Sequence, residues 1–173
     1  PGSSTPDVSI SYTGTRVSSV TKDGVTRTYN WTVGSNTITV AYSGGPGGGG
    51  TVTSNIATGR PVTAADAVNQ TTNNTYDTNG RLKRTTWPEG NYVEYTYDTR
   101  GNVTGVQIQP KANSGLMGTS TSAYYPTNCT NSATCNKPEY TIDALGKRTD
   151  YSYDSTHGQV TRLGLPAAGT RKR

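Results

Sequence analysis

The chain has 173 residues and a formal charge of +5, with 16% charged and 29% hydrophobic residues, well short of the apolar content of a packed globule. Twelve Tyr and no Phe, among abundant Thr, Ser, Asn and Gly, argue against a large buried core. The same Tyr, Thr and Val argue against disorder, because they favour pleated, half-buried surfaces.

The chain starts Pro-Gly-Ser-Ser, carries no signal-peptide pattern there, and reads as a mature product or an excised piece. Val8, Ile10 and Tyr12 then alternate with Ser9 and Ser11, and Ile38, Val40 and Tyr42 alternate with Thr37, Thr39 and Ala41. That period of two predicts strands with distinct faces. Gly14 and Gly24 are spaced like Gly80 and Gly90, and "GVTRTYNWT" from Gly24 puts Tyr29 and Trp31 where Tyr95 and Tyr97 stand after Gly90. Residues 1–43 therefore read as degenerate repeat strands. Residues 44–73 read as a Gly-rich loop or linker, since the glycine run 44–50 is too permissive for a strand interior. Within them "TAADAVNQ" offers at most one helical turn.

The pattern is clearest in 74–108. Tyr76-Asp77 and Tyr97-Asp98 are each followed by Gly three residues after the Asp, at Gly80 and Gly101, and Asp143 precedes Gly146 in the same way. Asp at the first and Gly at the fourth position is the preference of a type I turn, the carboxylate capping nearby N–H groups. Trp87-Pro88-Glu89-Gly90 fits through Pro at the second position. Between turns, Val93, Tyr95 and Tyr97 share one face, with Tyr92, Glu94 and Thr96 on the other, and "KRTDYSYD" repeats this up to Tyr153-Asp154. Residues 109–139 read as an insertion with a cysteine loop, and 140–173 as a last repeat and tail. Cys129 and Cys135 have no nearby His and no second pair, so a zinc site lacks ligands. The short polar loop between them predicts a disulfide and an oxidising compartment, against the alternative of two free thiols. The predicted fold is all-β, an antiparallel hairpin meander of repeats.

This Tyr-Asp-x-x-Gly unit, followed by a Gly-ended turn and another Tyr-x-Tyr-Asp, resembles the YD repeat of the Rhs family, which includes bacterial Rhs and wall-associated proteins, toxin complexes and teneurins. The resemblance rests on Tyr76, Asp77, Gly80, Gly90, Tyr97, Asp98, Gly101, Asp143, Gly146, Tyr153 and Asp154. It implies an extended, curved or spiral sheet, a bacterial protein outside the cell or on its surface, and a role as wall, toxin shell or carbohydrate binder. The chain departs from that family in holding about three units, no Asp-Pro and no toxin-like segment after the repeats.

No catalytic constellation is legible. His157, the sole histidine, lies in a turn, and Gly45, Gly47 and Gly50 spell G-x-G-x-x-G without the helix that a phosphate loop requires. The Asp residues at turn starts are accounted for by capping, and Glu94 and Asp150 by cross-strand pairing with residues such as Arg84 or Arg148. No catalytic residue, metal ligand or cofactor is expected. Scattered basic residues, clustered only at Arg171-Lys172-Arg173, argue against nucleic acid, and no apolar run is long enough for a membrane-spanning helix. Tyr92 is a candidate glycan contact. Val8, Ile10 and Tyr12 at one end, and Val160 and Leu163 at the other, mark edge strands open to copies of the chain or to further repeats of a longer parent. The expected function is a non-catalytic extracellular wall segment able to join head to tail into a filament.

Overall fold

A computed structural model describes residues 8–45 and 47–166 of the chain; the basic cluster Arg171-Lys172-Arg173 lies outside them. Among the described residues there is no helix. The strands are β1 (Val8–Thr13), β2 (Arg16–Lys22), β3 (Val25–Val33), β4 (Thr37–Ser43), β5 (Gly50–Asn55), β6 (Pro61–Ala65), β7 (Thr71–Tyr76), β8 (Leu82–Thr86), β9 (Tyr92–Tyr97), β10 (Val103–Gln109), β11 (Thr119–Tyr124), β12 (Tyr140–Ile142), β13 (Arg148–Tyr153) and β14 (Val160–Gly164). Hydrogen-bonded neighbours follow chain order from β1 to β14. The fold is the predicted antiparallel β-meander. Its residues group into two compact units, one holding residues up to 75 with 85–88, the other 76–84 and residues from 89 onward.

In the first unit the period of two sorts the side chains into chemically different faces. One face carries Ile10 opposite Val20, Tyr29 opposite Tyr42, and the row Trp31–Val40–Val52–Ala64. The other carries hydroxyl rows: Ser11–Ser19–Thr28–Ser43, and Thr32–Thr39–Thr53–Thr63. Thr28 and Ser43 bond at 2.7 Å, and Thr39 and Thr53 at 2.8 Å. Such cross-strand pairs stabilise a sheet that has little apolar mass to bury.

Two segments differ from the sequence reading. Residues 44–73, read from the sequence as a Gly-rich loop or linker, contain β5, β6 and the start of β7 in register with their neighbours. Gly50 opens β5 because a Cβ there would come within 2.5 Å of the Ala65 carbonyl oxygen and 2.8 Å of the Tyr42 hydroxyl, so close approach of the neighbouring strands, not chain flexibility, requires glycine. "TAADAVNQ" forms no helical turn. It ends β6 and enters a hairpin in which Asp66 Oδ1 accepts from the N–H groups of Val68 and Gln70. The 109–139 insertion likewise holds a strand, β11, which pairs β10 on one side and β12 on the other.

In the second unit Val93 faces Ile108, Tyr95 faces Val106, and Tyr151 faces Leu163. On β13 exposure alternates strictly, with Thr149, Tyr151 and Tyr153 half-buried and Arg148, Asp150 and Ser152 exposed. Among the described residues Cys135 is the one hydrophobic residue fully buried, at 3% exposure. A sheet this thin must be fixed by side-chain hydrogen bonds and ring contacts, because area burial contributes little.

Candidate functional site

The repeated turn is a three-residue connection with a left-handed glycine. Asp77 N–H donates to the Arg81 carbonyl (2.9 Å), and Gly80 N–H to the Asp77 carbonyl (2.9 Å). Gly80 has φ +76°, which L side chains adopt only at a cost. Asp77 Oδ1 accepts from the N–H groups of Asn79 (2.9 Å) and Arg81 (2.8 Å). Asp98 and Asp143 repeat these bonds with Arg100 and Asn102, and with Leu145 and Lys147. Asp154 heads a turn one residue longer, its carboxylate accepting from Thr156 and His157 N–H. Burial alone would raise the Asp77 and Asp98 carboxyls. The donors around them, with the Arg81 and Arg100 guanidinium groups, outweigh it and hold both below the usual carboxylate range.

The Tyr before each of two such Asp residues has a fixed task. Tyr97 Oη donates to the Leu82 carbonyl at 2.7 Å, and Tyr153 Oη to the Pro138 carbonyl at 2.9 Å. A cation covers each ring: Arg81 lies 4.6 Å from the centroid of Tyr97, and Lys137 lies 5.6 Å from that of Tyr153. Partial burial pushes both hydroxyls above the usual tyrosine range. Trp31, placed by sequence where Tyr97 stands, does the same work with Nε1, donating to the Val17 carbonyl at 2.7 Å.

On the opposite face Arg84 bonds Glu94 through both Nε (2.8 Å) and Nη2, and its guanidinium lies 4.0 Å from the ring centroid of Tyr92. One side of the candidate glycan contact is therefore occupied. Asp150 pairs with Arg148 at 2.5 Å, two positions away on the same strand and not across strands as expected. Arg148 also covers Tyr140, which stacks on Tyr124 at 4.3 Å. Tyr124 is 43% exposed, so the stack ends in an open ring. A shallow cleft of about 620 Å³ lies between Tyr97, Asp98, Arg100, Tyr124 and Tyr125.

Successive connections on one margin of the second unit are tied together. Arg81 Nη1 donates to the Asp98 carbonyl (2.8 Å), Arg100 Nη2 to that of Pro126 (2.7 Å), and Asn131 Nδ2 to that of Ser155 (2.8 Å). Cys129 and Cys135 are joined by a disulfide inside the 125–139 connection. Sequence reasoning missed Arg81, Arg100, Asn131 and Lys137. The signal available was a basic residue right after a turn and one position before the next strand, at Arg81.

His157 is exposed in the longer turn, with Asp154 accepting its backbone N–H. Val8, Ile10 and Tyr12 lie exposed on β1, and Val160 and Leu163 exposed on β14. No group of three or more His, Cys, Asp or Glu among the described residues is placed to hold a metal ion. No helix there is long and apolar enough to cross a membrane.

No curated protein matches the chain. Residues 76–111 match the RHS Repeat family, a segment that holds the Asp77 and Asp98 turns, the Tyr97 bond and strands β8 and β9. Residues 76–111 are therefore an RHS repeat, the β-repeat unit of Rhs/YD-repeat proteins.

Proposed function

We propose that the chain is a non-catalytic extracellular wall segment, whose end strands take up another copy by β-strand addition. The observation that carries this reading is the recurrent bond from the Tyr-Asp tyrosine to a carbonyl fifteen positions earlier, at Tyr97 and at Tyr153. It commits the hydroxyls of Tyr97 and Tyr153 to holding strands. β1 has one hydrogen-bonded neighbour, β2, and β14 has one, β13. Val8–Thr13 contains neither charge nor proline that would blunt an edge. Parity favours addition: in an antiparallel order of fourteen strands, a second β1 laid beside β14 in the same orientation continues the alternation. Electron microscopy of the isolated chain over a range of concentrations tests this. Filaments are expected, shortened or lost in Ile10→Lys, and monodisperse monomers at high concentration refute the assembly.

A second reading, a glycan-binding surface, is supported by Tyr124, whose open ring is backed by Tyr140 and Arg148. Stacked, exposed aromatic rings suit the apolar faces of sugars. On a glycan array this reading requires hits that Tyr124→Ala abolishes and Tyr92→Ala weakens less; an empty array rejects it.

A further inference from the structure

The 125–139 connection is gripped from two sides. From the Asp98 turn, Arg100 donates to the carbonyls of Pro126 (2.7 Å), Thr127 (3.2 Å) and Cys135 (3.3 Å), and Asn102 Nδ2 meets Asn136 Oδ1 at 3.1 Å. On the far side Asn131 Nδ2 donates to the Ser155 carbonyl, and the Ala133 carbonyl packs where any side chain at position 158 would stand. Tyr153, under Lys137, donates to the Pro138 carbonyl. One guanidinium reaches Thr127 and Cys135 together because the Cys129–Cys135 disulfide draws the two limbs of the loop side by side. The two sulfur-bearing residues are placed unequally: Cys129 is exposed, while Cys135 is buried beneath the loop.

We propose that this loop is a redox-released strap. Closed, it fastens the turn of the β13–β14 hairpin to the Asp98 turn; reduced, it lets that turn go while the β12–β13 ladder and β8–β10 stay paired. The reductant is a protein dithiol. Its thiolate attacks the sulfur of the exposed Cys129, the sulfur–sulfur bond breaks, and Cys135 leaves as a thiolate that takes up a proton. The dithiol's second thiol, deprotonated, then attacks its neighbouring sulfur in the mixed disulfide, the bond to Cys129 breaks, and Cys129 leaves as a thiolate that takes up a proton while the dithiol departs as a disulfide. The loop gains two electrons and two protons, and the dithiol loses them. With the ring open, the limb at 126–127 separates from Cys135, Arg100 loses its shared grip, and Asn131 is no longer held against Ser155.

Amide hydrogen exchange on the full chain, oxidised and after reduction in place with a phosphine, tests the strap. The amides of Thr134, Cys135, Thr156, His157 and Gly158, all bonded within these turns, are expected to exchange at least roughly tenfold faster on reduction. Those of β8, β9 and β10 are expected to keep their rates. A Cys129→Ser, Cys135→Ser double variant should reproduce the reduced pattern, and reduction in place decides the matter if that variant fails to fold. Unchanged exchange at 156–158 overturns the proposal. So does equal acceleration in β8–β10, which would make the disulfide a general stabiliser.

Discussion

The hydroxyl of Tyr97 donates to the carbonyl of Leu82 at 2.7 Å, reaching from the end of β9 to the start of β8. Tyr153 makes the same reach to Pro138. Tyr97→Phe and Tyr153→Phe keep the ring, and with it the contact to Arg81 or Lys137, but remove the donor. Each should lower unfolding stability by about 1 kcal/mol. The two hydroxyls bond different carbonyls, Leu82 and Pro138, so the two losses should add. Tyr12→Phe, on an exposed strand with 62% of the residue accessible, is the control and should change little. Urea unfolding midpoints make the comparison, and equal effects at Tyr12 and Tyr97 would remove the role assigned to the hydroxyl.

Acid should loosen the turns. Asp77 and Asp98 lie below the usual carboxylate range in the folded chain, so the folded state binds fewer protons than the unfolded one. Their stabilising contribution is complete above about pH 4 and disappears as pH falls through the depressed folded values. Thermal midpoints measured from neutral to strongly acid pH should show a steep acid slope that an Asp77→Asn, Asp98→Asn variant partly loses. An identical slope in both proteins would contradict this origin.

Alkali should act through the tyrosines with the opposite sign. Burial raises the Tyr97 and Tyr153 hydroxyls, so the folded chain holds these protons longer than the unfolded chain. The contribution is intact below about pH 10 and lost as pH rises through the higher folded values. The Tyr97→Phe, Tyr153→Phe double variant should retain more of its neutral-pH stability there, as thermal melts at alkaline pH will show.

At the turn glycines the backbone sets the cost. Gly80→Ala and Gly101→Ala force a Cβ into left-handed backbone, at φ +76° and +95°, and should each lose about 1–2 kcal/mol. Gly80→Asn should lose less, because Asn69 already holds φ +61° at the equivalent place in the Asp66 turn. A chemical-denaturation series of the three variants checks the ranking.

These comparisons also show what could be read in advance. The Asp-x-x-Gly turns at 77, 98 and 143 were legible because both residues that define the backbone geometry are present. The Asp66 turn escaped because Asn69 stands in for glycine. The turn from Asn55 to Gly59 escaped because Asn replaces Asp and one residue is added, as in the Asp154 turn. The glycine run hid β5 because Gly50 served close approach to the Ala65 carbonyl and Tyr42, which a one-dimensional pattern does not distinguish from slack. The links from Arg81, Arg100 and Asn131 were illegible for another reason. Their acceptors are backbone carbonyls 17 to 35 positions away, or 24 for Asn131, and a carbonyl carries no residue-type signal.

Strand order that simply follows the chain has a mechanical consequence. Tension applied through Val8 and Pro166 pulls first on the outermost ladders, β1 from β2 and β14 from β13, since no strand reaches past its neighbour to share the load. Such a sheet yields by peeling, ladder after ladder, at modest force. The side-chain lacing from Arg81 through Arg100 and Asn131 to Ser155 spans several ladders at once. A peel arriving from the β14 end must therefore break the lacing before it can run on, which makes that margin the rip-stop of the fabric.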